Sequence, residues 1–397
     1  MSASSRRRVE DVLIVGGGPV GLATAIACRR RGLEVTLLES RSPPIDKACG
    51  EGILPEGVEL LRRSGVSLDG AGERLAGIAW HDERSAVAGR FPRAPGLGVR
   101  RTALHDRLVA RADALGAVLR FGVRVRELDR SAAGFGVRAT DGLHEPRWLV
   151  AADGLASPLR RAAGLDGTLT RRRRLAVRRH FLAGRGDAAA DDPHERFVEV
   201  HWGHGAEAYI TPLGRGELGV AMLWHERVVG VRAGDGARAG GGARFEQLLS
   251  RFPDLAALLE GAAIRSADRG AGPLRQRARA SYRDNLALVG DAAGYLDAIT
   301  GEGLSLGFQQ AEALADALAA DDLRRYARVM PSLRRLPDAL TELCLLLSRH
   351  PALRARTLAT LAREPRLFER LLAVHVRAAP ARAPLAAKLL WRVATAR

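Results

Sequence analysis

Apolar residues first gather at Val12–Val15, a run of four between a polar leader and Gly16–Gly18. A run this short, bounded by glycines, predicts a buried strand. Small and apolar residues continue from Pro19 to Cys28, long enough for a helix that Gly32 ends. A second run, Val35–Leu38, closes on Glu39. Strand, turn, helix, strand and acid follow in the order of a βαβ unit. Farther along, "VRRTALHDRLVARADALGA" sets Leu104, Leu108 and Leu115 at helical spacing. In "GLSLGFQQAEALADAL", Leu304, Phe308, Ala311, Leu314 and Leu318 share one helix face. Shorter alternation predicts strands over residues 75–97 and over 175–225, including "FVEVHW", "AEAYITPLG" and "ELGVAMLW". "NLALVGDAAG" returns to a buried strand, and from Leu323 onward the pattern is almost wholly helical. Residues 230–243 read as a Gly/Ala/Arg loop.

The glycines give the first chemistry. Gly16, Gly18 and Gly21 form GxGxxG, and Glu39 lies 18 positions after Gly21. Gly16 permits the tight turn, Gly18 lets the backbone approach a pyrophosphate, and Gly21 lets helix pack on strand. The helix N-terminus favours phosphate charge, and Glu39 would accept from a ribose hydroxyl. The chain is expected to bind a dinucleotide.

Composition narrows the classes. At 397 residues the chain exceeds one typical core. No apolar stretch approaches the ~20 residues of a membrane span. "MSASSRRRVED" has no apolar core of a secretory signal, so a cytoplasmic setting is expected. Cys28, Cys49 and Cys344 have no CxxC spacing, so neither a metal site nor a disulfide framework is expected. The net charge is +17, but Lys47 and Lys388 are the only lysines among 62 basic residues. That is a compositional preference for arginine, and no aromatic–basic face suggests nucleic acid. Residues 324–397 hold 16 Arg and Lys against 4 Asp and Glu. This segment is expected to cap the substrate cavity; the alternative is a peripheral contact of its basic amphipathic helices with anionic membrane.

Two further motifs join the first. Asp153, Gly154, Ser157 and Arg160 make DGxxSxxR, and Gly290-Asp291 opens "GDAAGYLDAITGEG". With GxGxxG, in this order, they resemble the FAD-dependent oxidoreductases of the para-hydroxybenzoate hydroxylase superfamily. That group includes aromatic hydroxylases, flavin halogenases and geranylgeranyl reductases. The resemblance covers about residues 10–325. It implies an α/β fold: a Rossmann-like FAD-binding domain, an inserted β-rich substrate domain and a helical C-terminal extension. The expected boundaries are 1–75, 98–170 and 275–325 for the FAD domain, 76–97 and 171–274 for the substrate domain, and 326–397 for the cap.

By the same resemblance, Gly16, Gly18 and Gly21 would hold the FAD pyrophosphate and Glu39 the adenosine ribose. Arg101 matches the arginine of an RxxLxxxL helix that reaches the phosphate region. Asp153 and Gly154 resemble a pair that contacts the pyrophosphate and helps place the nicotinamide donor, NAD(P)H. Gly290 and Asp291 match the motif whose aspartate bonds a ribityl hydroxyl. Gly301 and Gly303 would leave N–H groups free before a helix aimed at the flavin pyrimidine edge. Cys49, Glu51 and Tyr209 are the flavin-proximal candidates for catalysis, and no general base is identified. Arg171–Arg174, Arg178 and Arg179 are expected to form a solvated basic loop rather than an NADPH phosphate site.

The branch is divided. Cys49-Gly50 is a pair found in the reductases, and Gly50-Glu51 one found in the halogenases. Ala298 stands where hydroxylases usually have proline. Against the reductases, the stretch matching their YxWxFP, Glu207 to Pro212, keeps only the proline, and the halogenase WxWxIP is absent too. The expected reaction is NAD(P)H-driven hydroxylation of a hydrophobic phenolic or polyketide-like molecule. Reduction of isoprenoid double bonds is the second expectation, and a FAD- or lipid-binding protein without turnover the third.

Overall fold

The computed structural model describes residues 11–131, 134–167, 174–182, 196–229 and 242–381. Residues 171–173, 230–241 and 382–397, which carry part of the arginine cluster, the Gly/Ala/Arg loop and the end of the C-terminal segment, lie outside them.

Eleven helices are described. They are α1 (Pro19–Arg29), α2 (Pro55–Arg63), α3 (Arg101–Ala114), α4 (Pro158–Ala162), α5 (Glu226–Val229) and α6 (Gly242–Leu249). Then follow α7 (Pro253–Leu258), α8 (Gly303–Ala319), α9 (Leu323–Arg349), α10 (Pro351–Arg363) and α11 (Pro365–His375).

A six-stranded sheet organises the nucleotide half. Its order is Tyr282–Arg283, Leu286–Leu288, Trp148–Ala151, Val12–Val15, Val35–Glu39 and Val118–Phe121. All neighbours are parallel except the first pair. The inner strands are covered on both faces, which is why Val12, Leu13 and Ile14 are wholly buried and read as an unbroken apolar run. α1 packs against α3 and α8. The predicted apolar face of α8 turns inward, with Phe308, Ala311, Leu314 and Leu318 buried.

An eight-stranded sheet forms the other half. Gly77–His81 pairs in parallel with Phe197–Trp202, and Ala86–Arg90 extends the edge. Gly96–Val99 instead joins a small sheet with Gly52–Ile53 and Gly72–Leu75. The two faces of the large sheet bury different cores. Ala208, Ile210 and Trp224 meet Phe245 and Leu255 of α6 and α7. Val200, Trp202 and Leu223 meet Cys344 and Leu345 of α9.

One expectation fails here. Arg174–Leu182 is a strand, as the alternation from residue 175 predicts, and its arginines are not a solvated loop: Arg174, Arg178 and Arg179 are each 4% exposed or less. Arg174 bonds Glu207 (2.6 Å) and Asp297 (2.8 Å). Arg178 pairs with Asp46, and Arg179 with Asp268 (2.6 Å). Charge in the interior persists because carboxylates from distant segments pair it.

α10 and α11 lie on Ala86–Arg90, where Val87, Leu361, Phe368 and Leu372 form a cluster. Among the described residues no helix is long and apolar enough to cross a membrane.

Candidate active site

A cavity of about 770 Å³ runs from the glycine turn, between the two large sheets, to α9 and α11. At its nucleotide end Gly16 has φ +114°, and a Cβ there would stand 2.3 Å from the Ala152 carbonyl oxygen. A Cβ on Gly21 would stand 1.9 Å from the Gly16 oxygen. Backbone crowding therefore demands glycine at both. Gly18 differs, because its Cβ would meet only Arg101 Nη2, at 3.7 Å, and otherwise enter the cavity. A cradle that protein atoms leave open suits a pyrophosphate. α1 begins with proline and has no side-chain cap, so its first N–H groups and dipole face the same space.

Arg101 opens α3 beside this cradle. Its Nε is buried and has no hydrogen-bond partner among the described residues, as expected of a guanidinium that meets a phosphate. Glu39 accepts N–H bonds from Gly17 and Arg41, both at 2.9 Å. Burial works against its charge, but these donors and the Arg41 guanidinium hold the carboxyl below the usual range. It stays ionised and retains lone pairs for a ribose hydroxyl. His105 was not singled out by sequence. Its Nε2 lies 3.0 Å from the Gly17 carbonyl oxygen. Burial lowers its pKa, so a neutral ring donates to Gly17 and fixes that peptide. The available signal was its place on α3, four residues after Arg101.

The two later motifs meet in space. Asp153 accepts from Ser157 Oγ (2.6 Å) and from the Leu159 N–H (3.0 Å), capping α4. Burial pushes its carboxyl up. Its main hydrogen bonds are thus internal, and it lines the cavity next to Gly154. Arg160 is 1% exposed and donates to Asp166 (2.7 Å) and to the Ala292 carbonyl (3.1 Å). It ties the DGxxSxxR turn to the Gly290–Ala293 turn. There the Gly290 N–H donates to Gln310 (2.8 Å). Asp291 pairs with Lys47 at 3.2 Å, and both side chains stay 32% exposed.

Next comes the α8 end. Ala298 to Gly301 and Gly303 line the cavity. Tyr209 donates to the Ile299 carbonyl (2.9 Å), and Thr211 to the Gly50 carbonyl (2.7 Å). The substrate-domain sheet thereby holds both loops, 49–51 and 298–301. Burial pushes the Tyr209 hydroxyl well above its ordinary pKa. With that hydroxyl already engaged, Tyr209 is a positioning residue rather than a catalytic candidate. Glu51, at φ +59°, has both oxygens engaged: by the Arg101 N–H (2.8 Å) and by His180 Nε2 (2.5 Å). It too positions, joining the start of α3 to the large sheet. Cys49 remains on the wall, its Sγ accepting from the Glu51 N–H at 3.4 Å.

Glu302, just before α8, is buried. That burial, then the nearby Glu56, pushes its carboxyl up to about 8. At neutral pH it is uncharged, so it does not cancel the positive end of α8. The wall toward α9 and α11 is mainly apolar: Trp80, Val200, Leu340, Leu343, Phe368 and Leu372. Arg178, Gln276, Tyr295, Thr300 and His375 add polar side chains to the lining, and burial holds His375 neutral with a pKa of about 4.

Fold and site together define a dinucleotide-dependent oxidoreductase with a hydrophobic substrate chamber. Comparison with known proteins narrows this. The family model described as "FAD binding domain" matches residues 10–322. Menaquinone reductase of Mycobacterium tuberculosis is 29% identical over 339 residues, 81% of this chain and 79% of the relative. Digeranylgeranylglycerophospholipid reductase 2 of Methanopyrus kandleri is 28% identical over 333 residues, 80% and 81% respectively. Rifampicin monooxygenase of Streptomyces venezuelae is 28% identical over 336 residues, 78% of this chain and 64% of the relative. In fold, a flavoprotein/dehydrogenase from Cytophaga hutchinsonii superimposes with a TM-score of 0.76 at 17% identity, covering 91% of this chain and 92% of that one. The chain belongs to the FAD-binding family of para-hydroxybenzoate hydroxylase-like enzymes; it is a FAD-dependent oxidoreductase. The open Gly18 cradle and the unpaired Arg101 nitrogen fit that cofactor.

Proposed function

We propose that this enzyme reduces a carbon–carbon double bond in an apolar, isoprenoid-type substrate. The observation that carries this is the chamber wall: toward α9 and α11 it offers mainly hydrocarbon and aromatic side chains, with Tyr209 and Thr211 already bonded to backbone. An elongated apolar chain fits such a wall. The two reductases among the relatives, each covering about four-fifths of both chains, support the same reading.

Bound FAD, reduced by NAD(P)H, would supply a hydride to one alkene carbon, and a proton must reach the other. Gly16, Gly18, Gly21, Arg101 and the start of α1 hold the pyrophosphate, with Asp153 and Gly154 shaping the facing turn. Glu39 takes the adenosine ribose and Asp291 a ribityl hydroxyl. The Gly301 N–H donates to the Ala298 carbonyl (3.0 Å), against the expectation that it stays free, so of the two it is the Gly303 N–H, at the start of α8, that is left to meet the flavin. Cys49 carries the exchangeable proton on the wall. The apolar lining excludes water from the reacting carbons. The basic C-terminal helices contact anionic membrane, from which such a substrate would enter.

Hydroxylation is the second reading, favoured by the loss of all but Pro212 from the reductase YxWxFP pattern and by the rifampicin monooxygenase relative. Single turnovers of the reduced protein separate the two. Anaerobic mixing with a geranylgeranyl lipid, which has no quinone ring to reduce, should give a product two mass units heavier. Oxygen-18 in the product, with no anaerobic turnover, would establish hydroxylation instead.

A further inference from the structure

We propose that His81, Glu199 and His201 form a site for a borderline divalent cation such as Zn2+, on the face of the large sheet opposite the substrate chamber. The cysteine spacing predicted no metal, and these ligands come from two strands that meet only in the fold.

The geometry is specific. His81 ends its strand directly beside His201, in the parallel pairing that also sets Glu199 beside Ala79. The two imidazoles are stacked, 4.7 Å apart and 12° from parallel. Both present Nε2 to one carboxylate oxygen: His201 stands 3.2 Å and His81 3.7 Å from Glu199 Oε2. One ligand atom from each residue lies within 4.8 Å of the others. Ligand atoms around a tetrahedral Zn2+ with bonds near 2.0–2.1 Å are about 3.3 Å apart. The observed spacings bracket that value.

Hydrogen bonding alone leaves the cluster incomplete. His81 Nε2 is buried and has no hydrogen-bond partner among the described residues. A cation would satisfy it and Glu199 together. Two imidazoles and one carboxylate suit Zn2+, Ni2+ or Cu2+ rather than Mg2+ or Ca2+. His81 and Glu199 remain 32% and 40% exposed, which leaves a side for entry and for a bound water. Asp254, at the start of α7, adds negative charge that reaches His81.

The site would act on the chamber through the sheet. Trp80 and Trp202 alternate with His81 and His201 on the same two strands and touch each other at 5.3 Å on the chamber side. A cation would fasten the Gly77–Arg90 hairpin to the rest of the sheet and so steady the Trp80 wall.

The test uses the FAD-loaded full chain without a histidine tag, stripped of metal by chelator and dialysis. Zn2+ titrated calorimetrically should bind at one equivalent and raise the unfolding temperature. One equivalent of Co2+ should give visible ligand-field bands of a tetrahedral or five-coordinate site. His81→Ala and Glu199→Gln should weaken Zn2+ by about a hundredfold or more, since even outer partners of metal ligands cost 10–100-fold. Their metal-free unfolding temperatures, compared with wild type, report whether the fold survives. No saturable Zn2+ binding and no Co2+ bands in the wild-type protein would overturn the proposal. So would Zn2+ affinity unchanged in a folded His81→Ala protein.

Discussion

Asp291 pairs with Lys47 at the cavity, and a ribityl hydroxyl would be a further partner. Hydrogen bonds to charged groups contribute about 1.5–3 kcal/mol. Asp291→Ala should therefore weaken FAD by that amount and purify partly without flavin. Equal flavin occupancy in the mutant would remove Asp291 from the cofactor site. Cys49 separates the two reaction classes. As the proton donor in reduction, its loss in Cys49→Ala should slow substrate turnover by well over tenfold, the ratio worth about 1.4 kcal/mol in barrier. Flavin reduction by NAD(P)H should be little changed. A loss below tenfold would favour hydroxylation, which needs no protein thiol. At this scale the sequence identified residues whose job is local. Gly16 and Gly21 answer to backbone atoms within the same βαβ unit or its neighbouring strand. Tyr209 and Glu51 were named as flavin-proximal, but their hydrogen-bond partners lie 90 and 129 residues away. No spacing rule discloses that these groups are already engaged.

At the scale of elements, α8 combines a legible face with a hidden switch. Its apolar spacing predicted the buried side, and its first turn carries the positive end of the helix dipole. The neutral state of Glu302 arises from α2 and α11 packing around it. A carboxyl whose folded pKa is about 8 contributes stability below its unfolded value of 4.5, and loses it as pH rises to 8. His375 works oppositely: with a folded pKa of about 4 it makes stability rise with pH up to 6.5. The two therefore offset each other between pH 4.5 and 6.5, and from 6.5 to 8 Glu302 acts alone. Urea unfolding of the FAD-loaded protein should show stability falling across pH 6.5–8. Glu302→Gln should remove Glu302's contribution to that slope. An unchanged slope would mean that Glu302 is ionised in the folded state. The strand Arg174–Leu182 shows the reverse problem. Its three arginines made it read as solvated, because composition reports charge and not the carboxylates that meet it.

For the whole molecule, the C-terminal helices present two different faces. Inward, Phe368, Leu371 and Leu372 line the chamber. Outward, Val329 and Leu346 are each 40% exposed in a segment rich in arginine. Arginines near an anionic leaflet gain about 1 kcal/mol each, within a Debye length. The protein should co-sediment with vesicles containing phosphatidylglycerol, and not with neutral phosphatidylcholine vesicles. Raising the salt should release it. Equal binding to both vesicles, or to neither, would remove the membrane from the proposed route of substrate entry.

The sequence by itself determined the βαβ unit, its glycine turn and acid, the alternation of the substrate strands and the inward faces of α3 and α8. Each of these follows from steric or periodic rules acting over a few to about thirty residues. Tertiary structure alone decided the buried Arg174–Glu207–Asp297 cluster, the Glu51–His180 clamp, the chamber wall and the meeting of His81 with Glu199 and His201. Those depend on which segments become neighbours: Arg174 and Asp297 are separated by 123 positions, and Arg160 reaches across 132 to Ala292. The desolvation and pairing that set charge state, and the juxtapositions that make a site, exist only after the chain has brought such segments together.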